Sequence, residues 1–86
     1  MFYVVEEKHT QVDKENNIWS SSISILAVNS EKWRIDRYFN RILIRYEHEH
    51  GYVRLKVVND DRVVFFGGAF IVDLYITNDI NHSFEA

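Results

Sequence analysis

The hydrophobic period of this chain changes twice, and those changes limit its fold more than any other feature. Over residues 18 to 28, IWSSSISILAV, apolar and polar residues alternate. Trp19, Ile23, Ile25 and Ala27 fall on one face of a strand, and Ser20, Ser22 and Ser24 on the other. Over residues 31 to 50 the spacing becomes helical, with Ile35, Phe39, Ile42, Leu43 and Tyr46 on one stripe and Tyr38 beside it. After Gly51 the period returns to two, as Val53, Leu55 and Val57 alternate with Arg54 and Lys56. One helix between alternating segments points to an α+β domain.

The remaining elements follow from local signals. FYVV, residues 2 to 5, reads as a first strand, and HTQVDKENN, residues 9 to 17, as a polar loop. Ser30 is the expected N-cap of the helix, with Glu31 suited to the positive end of its dipole. Gly51 is the expected terminator. The β-branched content of ILIRYEHE leaves a second option, a helix ending near Asn40 followed by a strand over residues 41–49. NDD at 59 to 61 is a turn, RVVFF a strand, and Gly67-Gly68 a hairpin signal. AFIVDLYIT is the last strand, with Phe70, Val72, Leu74 and Ile76 on its inner face, and residues 79–86 form a flexible tail. The predicted order is β-β-α-β-β-β, a five-stranded, mainly antiparallel sheet with one helix packed on one face. The first and last strands are the most apolar and are expected at the centre; a β-grasp order would set them side by side. One helix covers one face only, so the other should carry some of Tyr3, Val5, Ile18, Ile71 and Tyr75 and attract a partner or a second copy.

At 86 residues the chain makes one domain, spanning residues 1–86. So short a domain buries only about 60% of its unfolded surface. There is no cysteine, which excludes disulfides, thiolate metal sites and a thiol nucleophile. Two Trp, five Tyr and six Phe supply the core volume instead. Thirteen acidic against ten basic residues give a net charge of −3, which argues against a general nucleic-acid binder. FYVVEEKH turns charged at Glu6, unlike a secretory signal, and no apolar run nears the ~20 residues of a membrane span. The expected location is cytoplasmic, with no membrane partner.

Few residues carry recognisable chemistry. RYEHEHGYVR, residues 45 to 54, gathers histidines, glutamates and arginines around Gly51. On a strand, His48 and His50 would share a face and a metal; on a helix, two residues at ~100° each point apart. His9 and His82 belong to the predicted loop and tail, so no metal set of three or four ligands forms. Ser20, Ser21, Ser22 and Ser24 lack a nucleophile-elbow context. Glu6-Glu7 ends a strand, Asp60-Asp61 makes a turn, and Asp73 fits the outer face of the last strand. FFGGAF has no phosphate-loop pattern. No catalytic activity, cofactor or metal is expected.

The helix surface is more informative. At ~100° per residue, Arg34, Arg37, Arg41 and Arg45 fall in an arc of roughly 80°, with His48 among them. Trp33 and Ile44 sit at its edge, away from the core stripe. Trp and Arg are the residue types most enriched at binding hot spots, and arginines also grip phosphates. These seven residues are the candidate partner-binding face. The expected function is a small non-enzymatic protein-binding module, an inhibitor that works by steric occlusion of a partner. Immunity proteins and phage-encoded anti-defence proteins share this profile of small size, acidity and no evident chemistry. The alternatives are a nucleic-acid-binding module using the arginine stripe, or a structural homodimer through the open sheet face.

Overall fold

In a computed structural model the chain is described over residues 2–12, 15 and 18–78, with residues 18 and 19 as backbone only. The predicted tail with His82, and the faces assigned to the Ile18 and Trp19 side chains, lie outside the described residues. The elements are β1 (Tyr3–Val12), β2 (Ile18–Asn29), α1 (Lys32–His48), β3 (Val53–Asn59), β4 (Arg62–Phe66) and β5 (Phe70–Thr77). The strands form one sheet in the order β2-β1-β5-β4-β3, with every neighbouring pair antiparallel. The predicted α+β class and element order hold, and the first and last strands are adjacent near the centre of the sheet.

The core is the predicted helical stripe set against three strands. Ile35, Phe39, Ile42 and Tyr46 of α1 are buried on Val5 of β1, Val63 and Phe65 of β4, and Val72 and Leu74 of β5. Residues opposed across an antiparallel pair share a face. Val5 opposes Ile76, and Glu7 opposes Leu74, so the predicted inner face of β5 is the helix face. The helix lies over β2, β1 and β5. β3 stands beyond it, and all seven of its residues are exposed.

Several expectations change. β1 runs through Val12 where a loop was expected from residue 9. It is paired on both sides, so backbone hydrogen bonds and not apolar content hold it extended. Local contacts help: His9 packs on Phe70 with ring centroids 4.4 Å apart, and Ser20 Oγ donates to Gln11 Oε1 at 3.0 Å. Glu6-Glu7 therefore lies within a strand and not at its end. The single face assigned to β2 is broken by a register shift. Ala27 opposes Val5 on the helix face, whereas Ile25 and Ile23 oppose Glu6 and Lys8 on the open face, with Leu26 the extra residue between.

The helix starts later than expected. Its N-cap is Glu31, which makes no side-chain cap. Asn29 at the end of β2 reaches forward instead, its Oδ1 accepting the Glu31 N–H at 2.9 Å, so Ser30 is passed over. At the other end Gly51 has φ 67°, and the Tyr52 N–H donates to the Tyr46 carbonyl at 2.8 Å. Residues 41–48 are helical, which removes the strand option.

The open face is not the bare apolar surface expected. Tyr3 and Val5 belong to the helix side, while Ile71 and Tyr75 lie on the open side. At its centre Val4 and Glu6 are fully buried. Apolar exposure is confined to the margins, at Ile25, Val28, Val53 and Phe66. Asp73 takes a bidentate pair from Arg62, with Nε at 3.0 Å and Nη2 at 2.6 Å, which accounts for a charge within β5.

The β4–β5 turn carries a testable constraint. A Cβ on Gly67 would run into the Phe70 ring, which packs between His9 and Tyr52. Gly67→Ala is expected to cost about 1–3 kcal/mol, the usual range for overpacking, read from the denaturation midpoint. An unchanged midpoint would mean that Phe70 has room to move.

Candidate functional site

The seven predicted partner-binding residues all lie on α1, and all are exposed. They divide into two groups. Trp33, Arg34, Arg37 and Arg41 line a groove of about 390 Å³ between α1 and β2, which Tyr38, Ala27 and Val28 complete. Trp33 is 54% exposed, so the groove offers open apolar surface beside its cations. Ile44, Arg45 and His48 lie further along the helix and do not line it. Ile44 is 59% exposed.

Electrostatics divide the arginines again. Arg34 is tied to Glu31 at 2.8 Å and stacks over the Trp33 ring with its guanidinium carbon 5.0 Å from the centroid. Arg45 pairs with Glu49 at 3.2 Å. Lys32 bonds Asp36 at 2.7 Å and Asp61 at 3.3 Å, and these carboxylates hold its ammonium above the usual lysine pKa. Arg54 pairs with Glu47. Arg37 and Arg41 have no carboxylate partner among the described residues. They lie one turn apart with Arg34 and Arg45 on either side, so like charges repel at (i, i+3) and (i, i+4) spacing. Glu31 and Glu49 offset the charge of the outer two, while Arg37 and Arg41 have no such ion pair among the described residues.

A second constellation escaped the sequence. Glu7 accepts the Tyr46 hydroxyl at 2.5 Å, and His9 Nε2 lies 3.6 Å from the same carboxylate. Tyr46, His50 and Tyr52 pack ring on ring beside it. The signal was Glu7 and His9 two apart on one strand, hidden because β1 was ended too early. Burial and then the Glu7 hydrogen bond push the Tyr46 phenol well above the ordinary tyrosine value. The rings fill the space beside the carboxylate, so the cluster anchors the end of α1 to β1. Among the described residues no group of three His, Cys, Asp or Glu side chains is placed to hold a metal ion.

A larger depression of about 810 Å³ lies beside the β3–β4 turn. Arg62 and Asp73 neutralise each other within it, and Tyr75 donates to buried Glu6 at 2.8 Å. Its lining mixes both signs of charge, whereas the α1–β2 groove carries cations without carboxylates. Among the described residues no helix is long and apolar enough to cross a membrane. No family model, curated protein or solved structure matches the chain.

Proposed function

We propose that this chain is a small non-enzymatic binding protein that docks on a partner protein through the Trp33–Arg37–Arg41 side of α1. It works by covering a surface of that partner, as an inhibitor of the immunity or anti-defence kind does in the cytoplasm. One observation carries this reading: Arg37 and Arg41 lack carboxylates among the described residues, beside an exposed tryptophan and an open groove. Unoffset like charge lowers the stability of a helix, and a partner that supplies the missing anions recovers it on binding. Trp33 gives such a contact a large apolar anchor.

The test is a capture experiment with tagged wild type and the Arg37→Glu/Arg41→Glu variant, with and without nuclease. The variant should fold and melt no lower than wild type, because carboxylates at 37 and 41 meet Arg34 and Arg45 at favourable spacing. A protein retained by wild type alone, and unaffected by nuclease, is the expected result. Retention by both forms would remove the helix face as the site.

The arginine stripe also supports a second reading, contact with nucleic-acid phosphates. Retention that disappears with nuclease, and binding that weakens steeply with salt, would favour it.

A further inference from the structure

Taking the docking reading as its basis, we infer that the partner presents an extended, acidic segment, which adds to the free edge of β2 and aims its carboxylates at Arg37 and Arg41. The inference rests on three features that meet at one place.

The first is the edge itself. Among the described residues β2 has β1 on one side only, so its outer backbone N–H and C=O groups have no described strand to pair with. Proteins usually guard such an edge with charge, proline or irregularity. Residues 18 to 29, IWSSSISILAVN, contain no charged residue and no proline. The opposite edge is guarded by charge: β3 carries Arg54 and Lys56, whereas irregularity is common to both edges, since the register shifts twice between β3 and β4 and twice between β2 and β1. The sheet therefore has one defended edge and one long, uncharged edge.

The second is the groove. It runs between α1 and the last residues of β2, Ala27 to Asn29. A strand laid along β2 alternates its side chains between the two faces of the sheet. Those on the helix side reach Trp33, Tyr38, Arg37 and Arg41. Main-chain hydrogen bonds then supply affinity and the helix wall reads the side chains, the general mode of strand addition beside a helix.

The third is charge. The groove lining contains no carboxylate, and two of its three cations, Arg37 and Arg41, lack partners among the described residues. A second copy fits poorly. Two β2 edges paired around a twofold axis place both helices on the same face, with Arg37 and Arg41 of each turned toward the other. An acidic strand meets the same cations with opposite charge.

The test uses a capped peptide alternating valine and glutamate. Its controls are a valine–lysine peptide and a glutamate peptide methylated on alternate backbone nitrogens. Binding is followed by NMR, with amide exchange read residue by residue. The glutamate peptide should bind, weaken with salt, and slow exchange along residues 24 to 29. The lysine peptide should bind at least about tenfold more weakly. Methylation should abolish binding, because it removes donors while keeping every charge. In the Arg37→Glu/Arg41→Glu variant the preference should reverse toward lysine.

Equal binding of the two charge forms, or no binding of the glutamate peptide, overturns the inference. So does tight binding of the methylated peptide without protection at 24 to 29, although docking on the helix face then still stands. A mass that rises with protein concentration, with residues 24 to 29 already protected, assigns the edge to a second copy. Displacement of the peptide by an oligonucleotide at equal salt assigns the groove to nucleic acid and overturns the docking reading as well.

Discussion

Phe65→Ala is expected to lower the melting temperature by more than about 12 °C, the shift that follows from a loss of about 3 kcal/mol in a domain of this size. Phe65 is fully buried on β4. Its ring meets Tyr46 edge-on with centroids 5.5 Å apart, and the Arg54 guanidinium lies over its face at 6.0 Å. Removing it deletes the largest side chain that the β3–β4 half of the sheet gives to the core, and leaves a cavity under α1. Losses for buried aromatics run to about 5 kcal/mol. Small domains hold only about 5–15 kcal/mol in total, so part of the variant population should be unfolded at physiological temperature. Circular dichroism melts of wild type, Phe65→Ala and Ile44→Ala check this. Ile44 is exposed, and its loss should stay within about 0.5 kcal/mol. Equal melting of the two variants would contradict the core described above.

The second large effect is alkaline unfolding. Tyr46 and Tyr75 hold their phenolic protons well above the ordinary tyrosine value of 10.0, first through burial and then through hydrogen bonds to Glu7 and Glu6. A raised pKa in the folded chain gives stability that is complete below the unfolded value and is lost as pH climbs toward the folded one. The contribution of these two phenols should therefore be constant below pH 10 and fall above it, by up to about 1.4 kcal/mol per pH unit for each. Tyr75 is only partly buried, so its share is the smaller. Lys32, also raised, acts in the same direction from the surface, where solvent weakens it. Urea midpoints measured from pH 8 to 12 read the slope. Tyr46→Phe should be less stable at pH 8, having lost its bond to Glu7, and should decline less steeply above pH 10. A plateau extending to pH 11 in the wild type would sink this account.

Much of the architecture was legible because hydrophobic period reports burial directly. Ile35, Phe39, Ile42 and Tyr46 were identified as the buried stripe, and Phe70, Val72, Leu74 and Ile76 as the inner face of the last strand, from spacing alone. What period cannot report is pairing. Glu7, His9 and Gln11 look like loop residues until β2 and β5 are known to flank them. The register shift at Leu26 likewise moves Ile23 and Ile25 to the face opposite Ala27, which an unbroken alternation hides. Ser30 has the better intrinsic capping chemistry, yet Asn29 wins because β2 delivers it within reach of the Glu31 N–H. For the site, the helical wheel placed all seven residues on the surface. It could not show that Ile44, Arg45 and His48 stand apart from the groove, since β2 forms the other wall.

The ladder between β1 and β5 sets the order of events during synthesis. Its pairs, from Val4 with Thr77 to Gln11 with Phe70, join residues separated by most of the described chain. The β1–β2 and β3–β4 hairpins are local and can form as they emerge. The layer that holds α1 cannot close until Val72 and Leu74 have left the ribosome. Until then the apolar stripe of α1 and both sides of the unfinished sheet face the cellular milieu, where premature contacts compete with completion. A nascent chain stalled before Phe70 should therefore be protease-sensitive and bound by chaperones. One released after Thr77 has every described strand available to close that layer.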